Sequence, residues 1–206
     1  MSKIISEISP QSIREIASHI RAGKTLLYPT ETVYGLGCDM FNVAAVEKIF
    51  RIKGRAETKS MLVLVNSVAM LHTITKDIPP LALQLFEIFS PGPLTIILPA
   101  SENIPPLVTA NTGTIGVRIP GSEFCLQLIK ESQTPLISTS ANIAGKEQPR
   151  TIEELLLLFS EKIDVCVNAG NLQPSAPSTI VDVTSGKIVI IREGAIAKKE
   201  IETILQ

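Results

Sequence analysis

Residues 29–37, Pro29-Thr30-Glu31-Thr32-Val33-Tyr34-Gly35-Leu36-Gly37, follow directly on a short apolar run at 24–28 that reads as a buried strand. Two threonine hydroxyls, one carboxylate and two glycines are thereby set at a strand's end, where open α/β sheets bind ligands. A second cluster, Lys53-Gly54-Arg55, closes a helical pattern ahead of another apolar run. Hydroxyls beside a Lys-x-Arg pair suit a small polyanion, because ammonium and guanidinium groups give charge-assisted hydrogen bonds to phosphate oxygens.

Four later segments add polar groups at strand ends. Thr114-Ile115-Gly116-Val117-Arg118 carries Arg118 inside an otherwise apolar strand, where a charge is costly unless it meets an anion or an acidic partner. A structural ion pair and a ligand-binding arginine are both compatible with that pattern. Ser138-Thr139-Ser140-Ala141-Asn142 gathers three hydroxyls and an amide, which suit a turn or helix cap as well as a phosphate. Pro177-Ser178-Thr179 precedes one strand, and Arg192-Glu193-Gly194 ends another. Lys53, Arg55, Arg118 and Arg192 would together match a triphosphate and a carboxylate.

Two motifs are decoys. Gly23-Lys24-Thr25 imitates the end of a phosphate-binding P-loop, but Ser18 stands where the first glycine belongs, and the strand and helix come in the reverse order. Gly35-x-Gly37 lacks the third glycine of a dinucleotide fingerprint, Met40 being in its place. His19 and His72 read as ordinary surface or packing residues.

The elements that must position these groups follow from periodicity. Helices are expected near 10–22, from Asn42, at 67–73, 80–89, 122–131 and 151–160, and from about 198; strands are expected at 24–28, 61–65, 94–98, 115–119, 135–138, 163–167, 179–183 and 188–191. The glycine-bearing segment after 28 reads as a loop. The last two strands are too close for a parallel crossover, so the sheet is mixed. The proline-rich stretch 99–114 is the longest irregular one and is a candidate mobile cover over a site.

At 206 residues, 45% hydrophobic and 19% charged, the chain suits one domain with a sizeable core. A net charge of −1 argues against a nucleic-acid coat protein, although a local basic cleft is compatible with it. Cys38, Cys125 and Cys166 form no CxxC pair, so zinc is not expected, and free thiols fit a reducing cytosol. No signal layout or membrane-length apolar run is present, and a cytoplasmic location without membrane contact is expected.

The ordered set of motifs, with Pro91-Gly92-Pro93-Leu94-Thr95 and Ser178-Thr179-Ile180-Val181-Asp182 added, resembles the YrdC-like family of threonylcarbamoyl-AMP synthases from about residue 10 to Gly194. Two departures are visible: Ser90 replaces a tryptophan that often precedes Pro-Gly-Pro-Leu-Thr, and the C-terminal domain of the long family members is not expected. The resemblance implies a single α/β domain over residues 1–206, with a twisted mixed sheet, flanking helices and a positively lined concave cleft. It implies synthesis of threonylcarbamoyl-AMP and pyrophosphate from L-threonine, bicarbonate or CO₂, and ATP accompanied by Mg²⁺. A partner transferase complex would then modify transfer RNA. By the same resemblance, Lys53, Arg55, Ser140 and Asn142 carry the chemistry and bind ATP with Thr114 and Arg192. Thr30, Arg118, Ser138 and Ser178 form the threonine pocket, and no protein metal site is expected. An RNA-binding or ribosome-assembly module of this fold, or a paralogue with another activity, is the competing expectation.

Overall fold

A computed structural model of the chain describes residues 2–54, 60–173 and 175–203. After the edge strand β1 (Lys3–Ile5), the Ser9 hydroxyl accepts the Ser12 N–H and Ser12 answers with its own hydroxyl, so helix α1 (Pro10–Arg21) starts at a closed cap. Ile13, Ile16, Ala17 and Ile20 form its buried stripe, and Gly23 at φ +73° ends it. Strand β2 (Leu26–Tyr28) follows as expected.

The next strand, β3 (Gly35–Asp39), corrects the reading of this segment as loop. Glycine is a poor strand former, which hid the strand from pattern reading. Asn42 then caps α2 (Val43–Lys53) by accepting the Ala45 N–H at 3.0 Å, and Gly54 in the left-handed region (φ +60°) stops it. The chain continues through β4 (Leu62–Leu64), α3 (Val68–Leu71), α4 (Pro80–Phe89) and β5 (Leu94–Pro99).

A short helix, α5 (Pro106–Thr109), lies in the stretch expected to be a mobile cover. That expectation is not met. Ile104 and Val108 are buried in the main core, the Val108 carbonyl accepts the Met61 N–H at 2.9 Å, and the segment contributes no residue to the cleft described below. Then come β6 (Thr114–Arg118), α6 (Glu123–Ser132), β7 (Leu136–Ser140), α7 (Ile152–Phe159), β8 (Val165–Val167), β9 (Thr179–Asp182), β10 (Val189–Arg192) and α8 (Lys198–Thr203).

The ten strands of the described residues belong to one mixed sheet in the order β1-β8-β2-β3-β7-β4-β6-β5-β9-β10. The β9–β10 pair is antiparallel, as the short connection required. Alternation assigns the two faces. Leu36, Cys38, Val63, Val117, Ile137 and Val181 turn to the larger core with α2, α4 and α7. Leu26, Tyr28, Leu64 and Leu136 turn to the other face, where α1 and α6 cover only one end of the sheet. The uncovered part of this second face holds the cleft.

Candidate functional site

Strand register puts the polar residues in one row. Ser138 on β7 lies opposite Gly37 on β3 and Leu62 on β4, Leu62 opposite Gly116 on β6, and Gly116 opposite Ile97 on β5. Side chains two residues apart share a face, so Ser140, Arg118, Thr95, Ile180 and Ser178 follow on the same side. They border a cleft of about 460 Å³, whose apolar floor includes Leu62, Leu64, Ile97 and Ile180. The site therefore runs across a face of the sheet, whereas the sequence had suggested the crevice at its strand ends.

Thr30, Arg118, Ser138, Ser140, Asn142, Ser178 and Arg192 all line this cleft. Thr114 lies on the same face of β6 as Arg118 but at the far end of the strand, outside the lining, with its hydroxyl 2.9 Å from that of Thr112. Arg55 falls outside the described residues. Lys53 is 3% exposed and does not line the cleft. Its ammonium is folded under the loop after β7, donating to the carbonyls of Ser140 and Asn142 and to Asn142 Oδ1. Asn142 Oδ1 also accepts the Ser140 hydroxyl at 2.7 Å, and its amide nitrogen donates to Lys146 O. Lys53, Ser140 and Asn142 thus build one another's geometry. Lys53 is therefore a buried residue despite its charge, because its ammonium is engaged by these acceptors.

Thr30 lines the cleft but uses its hydroxyl locally, donating to Val33 O at 2.6 Å and accepting the N–H groups of Thr32 and Val33. It shapes the loop in the manner of a hydroxyl turn. Arg118, 4% exposed, donates Nε to Gly92 O at 3.0 Å and Nη2 to Glu31. The acidic partner its strand position required is therefore Glu31, a member of the first motif to which sequence reading gave no role. Two of its five N–H groups are spent on these partners, so others are left for a ligand anion in the cleft.

Across the cleft, Arg192 donates to Ser178 O at 2.7 Å and to its hydroxyl at 3.3 Å, while Thr95 Oγ1 lies 3.0 Å from the same hydroxyl. Burial, and after it the charge of Arg118, lowers the Arg192 pKa from its ordinary value. Two guanidinium groups within reach of each other's field make the space between them a place for an anion. Sequence reading also missed Gln148, which lines the cleft and donates to Tyr34 O at 3.0 Å; its lone amide gave no signal. Among the described residues no group of three or more His, Cys, Asp or Glu side chains is placed to hold a metal ion. No helix among them is long and apolar enough to cross a membrane.

Comparison with known proteins places the chain and its fold. The Sua5/YciO/YrdC family model, described as telomere recombination, matches residues 18–194. The threonylcarbamoyl-AMP synthase of Pyrococcus abyssi is 37% identical over 198 residues, 96% of this chain and 58% of that protein. That of Coxiella burnetii is 36% identical over 181 residues, 87% of this chain and 96% of its own. The crystal structure of P. abyssi Sua5 complexed with L-threonine superposes with a TM-score of 0.93 at 36% identity, covering 100% of this chain and 61% of that one. E. coli YciO gives 0.87 at 25% identity, over 98% and 99% of the two chains. The chain thus spans 58% of the length of its P. abyssi and Bacillus subtilis relatives, both threonylcarbamoyl-AMP synthases.

Proposed function

The chain belongs to the Sua5/YciO/YrdC family, and on that footing we propose that it is a threonylcarbamoyl-AMP synthase acting on L-threonine, bicarbonate or CO₂, and ATP. The observation that carries this reading is a single cleft with two kinds of end. One end has Arg118, Ser138 and Ser178, groups that suit an amino acid's carboxylate and hydroxyl. The other has the Ser140–Asn142 loop held by the buried Lys53 ammonium, which suits phosphates. The three relatives named above are called threonylcarbamoyl-AMP synthases, and one of the superposed structures contains L-threonine.

The reaction asks for no enzyme nucleophile. The amine of threonine takes up CO₂ to give a carbamate, a carbamate oxygen attacks the α-phosphorus, and pyrophosphate leaves. Residues in such a site position the reactants and stabilise charge. The Arg118 guanidinium faces the carboxylate, Ser138 and Ser178 donate to threonine's oxygens, and the apolar floor receives its methyl group. Arg192, with Ser140, Asn142 and Arg55, accompanies the nucleotide, while Lys53 fixes the loop and lends that end its charge. Thr30 walls the threonine end through the turn it builds, and Thr114 marks the far rim.

Mg²⁺ would come with the nucleotide. The donors present are hydroxyls and amides, which fit an ion held mostly by phosphate oxygens and water, with Ser140 Oγ as a protein ligand; the ion would neutralise charge on the leaving pyrophosphate. The product would pass to a transferase complex acting on transfer RNA, within the cytoplasm, from one domain spanning residues 1–206. Mass spectrometry of the product tests the reading: an adenylate carrying label from both threonine and bicarbonate is expected. RNA retention without any labelled adenylate is the behaviour of a binding module and would overturn it.

A further inference from the structure

Gly35-x-Gly37 is a part of the first motif that the proposed chemistry does not use. The two glycines share a face of β3, the face that also carries the cleft, and they leave a bare strip across it. Tyr28, on the neighbouring strand β2, lies over that strip. A Cβ built on Gly37 would stand 2.8 Å from Tyr28 Cε1 and 2.3 Å from Ile137 O, and one on Gly35 would stand 3.4 Å from Tyr28 Cζ. At Gly37 such contacts exclude a side chain and at Gly35 they leave little room for one, so the strip is kept bare for the ring. The order of the sheet is β2, β3, β7, which sets Ser138 two strands away from Tyr28, on the order of 9–10 Å. Only by crossing β3 over its glycines does the phenol reach that far, and it ends 2.8 Å from Ser138 Oγ.

The donor order follows. Tyr28 is fully buried, and burial raises its pKa well above the ordinary tyrosine value, so the phenol keeps its proton. Ser138 is the partner to which it donates. A serine oxygen that accepts one hydrogen bond still has its own proton to give. Ser138 Oγ is in the cleft wall, so that proton points to whatever acceptor the cleft holds.

We propose that Tyr28 is a positioning residue for substrate recognition: reaching across the Gly35–Gly37 strip, it fixes Ser138 as a hydrogen-bond donor to an oxygen of L-threonine. The inference rests on the threonine reading of this end of the cleft. It also gives the glycine pair its reason, which is passage for a side chain and not phosphate binding.

The test is a double-mutant cycle on the full chain, with L-threonine affinity read by calorimetry and ATP affinity and thermal unfolding read alongside. Tyr28→Phe keeps the ring and deletes one donor. It should weaken threonine about tenfold, the loss of one well-formed hydrogen bond, while leaving ATP affinity unchanged. Ser138→Ala should weaken threonine at least as much, and the double variant should be no worse than Ser138→Ala alone. Two independent, multiplying losses would make Tyr28 a packing residue and overturn the inference, as would a Tyr28→Phe protein that binds threonine normally while Ser138→Ala does not. If Ser138→Ala itself binds threonine normally, the threonine reading of the pocket fails with it. Gly35→Ala, whose Cβ would sit 3.3 Å from Ser138 Oγ, is the second probe should Tyr28→Phe not fold: its threonine loss should vanish in the Ser138→Ala background, and persistence there would contradict the proposal.

Discussion

Arg118 and Glu31, 87 residues apart in the chain, form an ion pair in the wall of the cleft, and the same carboxylate oxygen accepts the Gly121 N–H at 2.8 Å. Glu31 Oε2 is buried without a hydrogen-bond partner among the described residues, so the carboxylate depends on Arg118 for its charge compensation. One arginine therefore serves both the fold and the site.

Arg118→Ala should for that reason lose more than threonine binding. Truncating one side of a fully buried pair costs about 3–5 kcal/mol. Since the Glu31 side chain is 20% exposed, about 2–3 kcal/mol of folding stability is the expected loss, on the same scale but screened. Urea denaturation reads that cost, and calorimetry should find threonine binding abolished. Unchanged stability would mean that the pair is solvated and contributes nothing.

Lys53→Ala should release the Ser140–Asn142 loop. Three acceptors lose a buried ammonium, and each orphaned group costs about 1–3 kcal/mol where water does not replace it. ATP affinity and turnover should fall together with the denaturation midpoint, because the lysine builds the loop as well as charging it. A variant of wild-type stability with normal ATP binding would contradict the loop's dependence on Lys53.

Two glycines should respond differently to alanine. At Gly54 no atom of the described residues lies near a built Cβ but φ is +60°, so Gly54→Ala should cost mainly the left-handed strain of about 1–2 kcal/mol. Gly37→Ala drives a Cβ against a backbone carbonyl and the Tyr28 ring, an overpacking that costs about 1–3 kcal/mol or more, and it should also impair threonine binding. Denaturation with threonine titration separates the two; a threonine defect in Gly54→Ala alone would reverse the assignment.

Asp164 should make the fold's stability fall in acid. Burial would raise the Asp164 pKa, but hydrogen bonds from Lys48 and from the Thr25 hydroxyl and amide, with the Lys48 charge, outweigh it and hold the carboxyl at about 2 against an ordinary 3.8. A folded-state pKa below the unfolded one contributes stability that is complete above about 3.8 and disappears as pH falls towards 2. The urea midpoint of wild type should drop more steeply over that window than that of Asp164→Asn, and parallel curves would remove Asp164 from the account.

Much of this was legible in the sequence, and the failures have physical reasons. Helix starts at Ser9 and Asn42 and the stop at Gly54 were readable because caps and left-handed turns are local chemistry. The strand at 35–39 was hidden because its glycines serve Tyr28, a relationship that exists only once β2 and β3 are paired. Burial of Lys53 was invisible because a lysine at a helix end is ordinarily solvated, and its acceptors lie 87 and 89 residues away. The need of Arg118 for an acid could be read from its apolar strand, but the identity of that acid, Glu31, could not. Ile104 and Val108, set among prolines, looked like loop residues and are core.

The most direct test of the central claim is pyrophosphate release by the purified chain supplied with ATP and Mg²⁺. Release that requires L-threonine and bicarbonate together, and stops when either is withheld, is the expected result. Equal release without an amino acid, or release of phosphate in place of pyrophosphate, would contradict it.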